Sequence, residues 1–154
     1  MIDSGGIGSC RWKLSIRRDP IPPESITALN FYLNDALAEF FTAAAKYKIH
    51  NIIGSSGVFE SYAAIIESAE RRLFDLKKTR YYTFDCETLL SVIEGLVLST
   101  HQQRLSNPNI IPVRVDMIVT ASILARFIID KLGVEEIAMS ANSLKEGVLA
   151  EMLG

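Results

Sequence analysis

Apolar residues recur at mostly helical spacing from Pro22 to Tyr47, through Ile26, Leu29, Phe31, Leu33, Leu37, Phe40, Phe41 and Ala44. Pro22-Pro23 followed by Glu24 makes a helix start with an acidic first turn, so the pattern predicts one long helix crossing a whole domain. The run Ile49-His50-Asn51-Ile52-Ile53 then has β character and ends at Gly54-Ser55-Ser56-Gly57. Val58 to Arg72 returns to helical periodicity through Phe59, Tyr62, Ile65 and Ile66. Residues 73–84 carry charge and aromatics without a period and read as a connection. Asp85 suits an N-cap for a helix through Leu89, Leu90, Ile93, Leu96 and Val97. Ser99 to Asn109 is polar, and Asn107-Pro108 signals a break. Pro112 at a first-turn position opens a further helix through Val115, Ile118, Val119, Ile123, Leu124, Phe127 and Ile128, which Gly133 closes. Glu136 to Met139 reads as another strand. Ser143 and Glu146 have capping-box spacing and start a terminal helix to about Leu153. Helices alternating with two or three short strands predict an α/β fold, a small mixed sheet under long covering helices.

Length and composition narrow the class. The chain has 154 residues, enough for one domain that buries roughly 70% of its unfolded surface. Its 49% apolar and 22% charged residues exclude a disordered or low-complexity chain. A net charge of −2 removes the basic excess behind non-specific nucleic-acid or anionic-membrane binding, so any anion site is local. No nucleic-acid or membrane partner is expected. Cys10 and Cys86 have no metal-ligand or redox spacing, the first residues have no signal-peptide pattern, and Arg126 interrupts the longest apolar stretch. The expectation is a reduced, soluble, cytoplasmic protein.

Three places have the chemistry of an anion site. In Asp3-Ser4-Gly5-Gly6-Ile7-Gly8-Ser9, glycines let successive amides face inward around phosphate oxygens, while Asp3 suits a divalent cation or a reacting water. A frayed terminus or a cloning remnant has the same letters. Gly54-Ser55-Ser56-Gly57 stands between strand and helix, where backbone amides and the helix dipole favour an oxyanion; a plain turn with capping serines fits it equally. Arg114, placed in a helix first turn, opposes the dipole and suits a phosphate or carboxylate ligand; a solvated arginine, or one paired with Asp116 or Glu146, fits equally. Arg104 lies in a polar stretch and reads as a surface residue. His50 and His101 have no zinc or dyad spacing, and the pairs Phe40-Phe41 and Tyr81-Tyr82 read as packing.

Gly54-Ser55-Ser56-Gly57 opening a helix, Arg114-Val115-Asp116-Met117-Ile118 with its apolar continuation, and Ser140 leading to Ser143-Leu144-Lys145-Glu146-Gly147-Val148-Leu149 resemble the exopolyphosphatase and guanosine-pentaphosphate phosphatase family. Order and approximate spacing agree over about residues 19–153. The opening Ile2-Asp3 with Gly5-Gly6 is similar to the Asp-x-Gly-Gly-Gly-Ser phosphate loop that begins the second of the family's two actin-like lobes. The resemblance implies that residues 1–154 are a single ribonuclease H-like domain equivalent to that second lobe. It further implies a magnesium-assisted attack of water on a terminal phosphoryl group of polyphosphate or guanosine pentaphosphate. It assigns Asp3 to catalysis and metal, and Gly5, Gly6, Gly8, Ser9, Gly54, Ser55, Ser56, Gly57 and Arg114 to phosphate.

The chain departs from the family's pattern in several places. Ile7 interrupts the glycine run, Cys10 and Arg11 stand where the family usually carries a glutamate, and the stretch from Ser9 to Asp19 is too short for the family's opening hairpin. A first lobe is absent from the sequence. These features imply weak or no catalysis by this chain alone, with a missing first lobe or a second copy as partner. The alternative is a non-catalytic phosphate-binding or protein-interaction domain that retains the fold.

Overall fold

A computed structural model describes residues 18–55, 57–76 and 78–153. Along them run helices α1 (Pro23–Ala36) and α2 (Ala38–Ala44), strand β1 (Asn51–Ser55) and helix α3 (Val58–Ala69). Strand β2 (Tyr81–Phe84), helices α4 (Cys86–Leu98) and α5 (His101–Leu105) and a 3-10 turn at Pro112–Arg114 follow. The chain ends in helix α6 (Ile118–Leu132), strand β3 (Glu136–Ser140) and helix α7 (Leu144–Leu153). The α/β, helix-rich expectation is met.

The sheet is mixed, in the order β1-β3-β2. β1 runs parallel to β3 with Asn51 opposite Glu136 and Ser55 opposite Ser140, while β2 runs antiparallel with Phe84 opposite Ile137. Side chains alternate across a strand, so Ile137 and Met139 point into the core and both are fully buried. The other face carries Ile53, Ala138 and Thr83 in one row, and Ile53 and Thr83 are exposed there. Among the helices α6 is central, with α1, α2, α3 and α4 all packed against it. Leu89 and Ile93 of α4, Ile118 and Ile123 of α6, and Tyr62 and Ile66 of α3 fill the space between. Within that core the Tyr62 hydroxyl and Ser122 Oγ lie 2.8 Å apart and satisfy one another. Burial pushes the Tyr62 phenol above its ordinary pKa, with the Ser122 bond opposing it only in part.

Several expectations need correction. The long first helix is bent at Leu37 (φ −106°, ψ 10°) into α1 and α2. The Leu37 amide still donates to Leu33, and Phe41 to Leu37, so periodicity is continuous across the bend and does not reveal it. The bend lets the chain wrap α6, with the Phe41 ring edge-on to Phe127 at 5.9 Å. The first strand begins two residues later than its apolar run and takes in Gly54 and Ser55. Helix α3 ends at Ala69, short of Arg72.

Residues 73–84 contain a strand at their end, β2, which pairs on one side only among the described strands and leaves Tyr81 exposed, weakening the apolar signal. The polar stretch after Ser99 holds α5, started by a capping box between Thr100 and Gln103. Pro112 opens a 3-10 turn, and α6 starts only at Ile118. Asp85 caps α4 through the Thr88 amide at 2.9 Å, and Gly133 (φ 59°) closes α6 as expected. Glu146 accepts from both the amide and the hydroxyl of Ser143 at 2.7 Å, and the Glu146 amide donates to the Ser143 carbonyl. Of the aromatic pairs, Phe41 and Tyr82 pack inward, Phe40 lies edge-on to Phe41 at 5.2 Å while still half exposed, and Tyr81 is exposed.

Candidate functional site

Because β1 and β3 are parallel and Ser55 lies opposite Ser140, the segments after both strands leave the sheet at one end. After β3, Ser140 Oγ accepts the Asn142 amide at 3.2 Å and turns the chain toward α7. After β1, Gly57 turns it into α3 with φ 58° and ψ −99°, a conformation that side chains with a Cβ rarely adopt. Gly57 has no side chain with which to cap the helix. The Ser61 amide donates to the Gly57 carbonyl at 3.3 Å. The amides before it are the helix-start donors that the α ladder leaves over. Such donors, with the positive end of the dipole, suit an oxyanion.

Gly54 has a different physical explanation from its neighbours. It is buried in β1 beneath the Phe59 ring, and a Cβ there would sit 2.2 Å from Phe59 Cδ2. Phe59 is held in turn edge-on to Tyr62 at 5.5 Å and tilted to Phe84 at 6.1 Å. Glycine at this position lets the helix start press onto the sheet, which fixes where the turn lies.

Arg114 reaches the same helix start from the 3-10 turn. Ile111 is extended before Pro112, as a pre-proline residue tends to be, and buried Ile110 and Val115 pin the segment at both ends. The Arg114 guanidinium donates through Nη2 to Glu60 Oε2 at 2.9 Å and through Nη1 to Ser61 Oγ at 3.2 Å. The pair is sheltered, with side chains 23% and 18% exposed. Arg114 therefore lies outside any α-helix first turn, and its carboxylate is Glu60 in place of Asp116 or Glu146. Glu60 escaped the sequence reading because it stands 54 residues from Arg114, and no local spacing marks such a contact.

Arg104 is a buried residue, contrary to its expected surface position, at 6% exposure. Its Nε donates to the Val115 carbonyl at 2.9 Å and its Nη2 to Asp19 at 2.9 Å, so it anchors the residue following Arg114. Partial burial raises the Asp19 pKa, but the His101 amide and the Arg104 guanidinium outweigh it and hold the carboxyl below its ordinary value. His101 Nε2 lies 3.2 Å from Asp116, and His50 Nδ1 lies 3.9 Å from Glu135; both histidines are exposed.

Asp3, Gly5, Gly6, Gly8, Ser9 and Ser56, with Ile7, Cys10 and Arg11, lie outside the described residues. Among the described residues no group of three or more His, Cys, Asp or Glu could hold a metal ion. Nor, among them, is any helix long and apolar enough to cross a membrane.

The model of the Ppx/GppA phosphatase family matches residues 1–154. The chain belongs to the Ppx/GppA phosphatase family. Among solved structures, an exopolyphosphatase from Cytophaga hutchinsonii superposes with a TM-score of 0.88 at 28% identity, covering 96% of this chain and 47% of that one. An exopolyphosphatase-like protein superposes with a TM-score of 0.80 at 18% identity, covering 95% and 48% of the two chains. The Aquifex aeolicus Ppx-GppA enzyme gives 0.75 at 15%, covering 93% and 46%. The last two are likenesses of fold. No curated protein sequence matches the chain. The Ppx/GppA chain described here thus spans about half the length of its structural relatives, and shares with them a helix-rich lobe built on a small mixed sheet.

Proposed function

We propose that this Ppx/GppA chain acts as one lobe of a phosphoanhydride hydrolase for polyphosphate or guanosine pentaphosphate, and that it is incomplete without a first lobe. The observation that carries the reading is the meeting of the β1–α3 turn with Arg114, which sets helix-start amides beside a guanidinium in a chain 28% identical to a protein described as an exopolyphosphatase. The amides beyond Gly57 take one phosphate. Asp3, with Gly5, Gly6, Gly8 and Ser9, is proposed for the reacting phosphate and its magnesium by family resemblance. A transferring phosphoryl group needs donors and positive charge on every side, and one lobe leaves it open to water. Binding without appreciable turnover is therefore expected of the isolated chain.

Two measurements test this. Calorimetric titration with tripolyphosphate should show binding that weakens strongly with salt, and inorganic phosphate release from polyphosphate or guanosine pentaphosphate with magnesium should stay near the buffer level. Absence of both binding and release removes the proposal. The second reading, a domain retained for interaction with other proteins, is favoured by the carboxylate already seated on Arg114; it predicts no heat with tripolyphosphate. Under either reading a partner is expected, because Val148, Leu149, Met152 and Leu153 of α7 are all exposed. A first lobe or a second copy would cover them. Sedimentation as a clean monomer at high concentration would exclude the second copy.

A further inference from the structure

We propose that Glu60 is a built-in competitor for the anion at the β1–α3 turn: its carboxylate occupies Arg114, and a phosphoryl oxygen gains that guanidinium only by displacing it. The inference rests on the reading of this turn as an anion site.

Glu60 is the third residue of α3, a position from which a glutamate commonly turns back to the amide of its own N-cap. Here it points to Arg114 instead. The contact is single, through Oε2 at 2.9 Å, and the second Arg114 bond goes to the neutral Ser61 hydroxyl at 3.2 Å. Glu67 near the end of the same helix, with Arg72 just beyond it, shows what a permanent clamp looks like. Arg72 grips Glu67 with two prongs at 2.6 and 2.8 Å, and the Tyr82 hydroxyl adds a third bond at 2.7 Å. Two-pronged, charge-assisted geometry is the strong form of this interaction. The Glu60 pair lacks it and is the one that can exchange.

Shelter gives the exchange its consequence. With both side chains mostly covered, the charges of Glu60 and Arg114 are screened less than those of surface groups. While paired they present little net charge to the turn, so an incoming phosphate finds helix amides and an Arg114 already engaged. Once Glu60 leaves, the guanidinium matches two phosphate oxygens at once. Glu60 thereby sets the charge an occupant must carry: a polyanion displaces the carboxylate readily, whereas a weakly charged ligand leaves it in place.

The test is a double-mutant cycle read by calorimetric titration of tripolyphosphate into the full chain. Glu60→Gln should tighten binding about three- to fivefold, the range of a partly exposed ion pair, and should steepen its salt dependence. Arg114→Gln should weaken binding, and in the double variant the gain from Glu60→Gln should vanish. An unchanged affinity in Glu60→Gln overturns the competitor role while leaving the anion site standing. A gain that persists without Arg114 also overturns it, since that would be simple charge repulsion. Heat absent from all four proteins removes the anion site and the competitor together. Glu60→Ala repeats the measurement with a second side chain, and the unfolding midpoint of each variant confirms that the same fold is compared.

Discussion

Arg104 illustrates how much a single side chain can organise. Its guanidinium spans Asp19, Ser99 and the Val115 carbonyl from a buried position. Methionine would keep the packing volume and leave the carbonyl and Asp19 without their donor. Arg104→Met should therefore cost about 2–3 kcal/mol in denaturant unfolding, and should loosen the 3-10 turn that carries Arg114. Gly57 makes the opposite case, a position defined by backbone and not by side chain. Gly57→Ala meets open space but keeps φ 58°, so strain of about 1–3 kcal/mol is expected. That variant should also bind tripolyphosphate less tightly than its stability loss alone implies. At this scale the sequence was half legible. Gly57 was marked by its place between strand and helix, whereas Arg104 looked like a surface residue because burial of a charge depends on partners brought in from Asp19 and Val115.

Elements are held together by a second charged cluster, at the far end of α3 from the turn. Glu67 at the end of α3 receives two bonds from Arg72 and one from Tyr82 of β2, which ties helix to sheet. The Arg72 bonds lower the Glu67 pKa from 4.5 to about 2, partial burial opposes them, and Tyr82 adds to the lowering. Burial, followed by the Glu67 carboxylate, pushes Tyr82 up to about 12. A depressed folded pKa means that the unfolded chain binds the proton more readily. The Glu67 contribution is thus fully present above about pH 4.5 and lost as pH falls toward about 2. Unfolding free energy measured across that window should fall with acid, and Glu67→Gln should flatten the slope. The elements themselves were legible where a cap or a period announced them, as at Asp85 and Gly133. They were hidden where the signal was tertiary: the bend at Leu37 keeps the helical phase, β2 turns Tyr81 and Thr83 to solvent, and α5 is short and polar.

At the scale of the whole molecule, α6 packs against α1, α2, α3 and α4, and the sheet of the described strands sends the Gly57 turn and the approach to α7 out at one end. That polarity places the candidate site, and it follows from the parallel pairing of β1 with β3 rather than from any motif. The resemblance noted from Gly54-Ser55-Ser56-Gly57 and Arg114-Val115-Asp116 was correct about the family, although the meeting of Arg114 with Glu60 needed the folded chain. Amide chemical shifts of the full chain, followed during titration with tripolyphosphate, test the central claim most directly. The account predicts that the largest shifts fall on Gly57, Val58, Phe59 and Glu60, with the Arg114 side-chain resonance moving at the same ligand concentration. Saturable shifts confined to other parts of the surface, with these resonances unmoved, would contradict it.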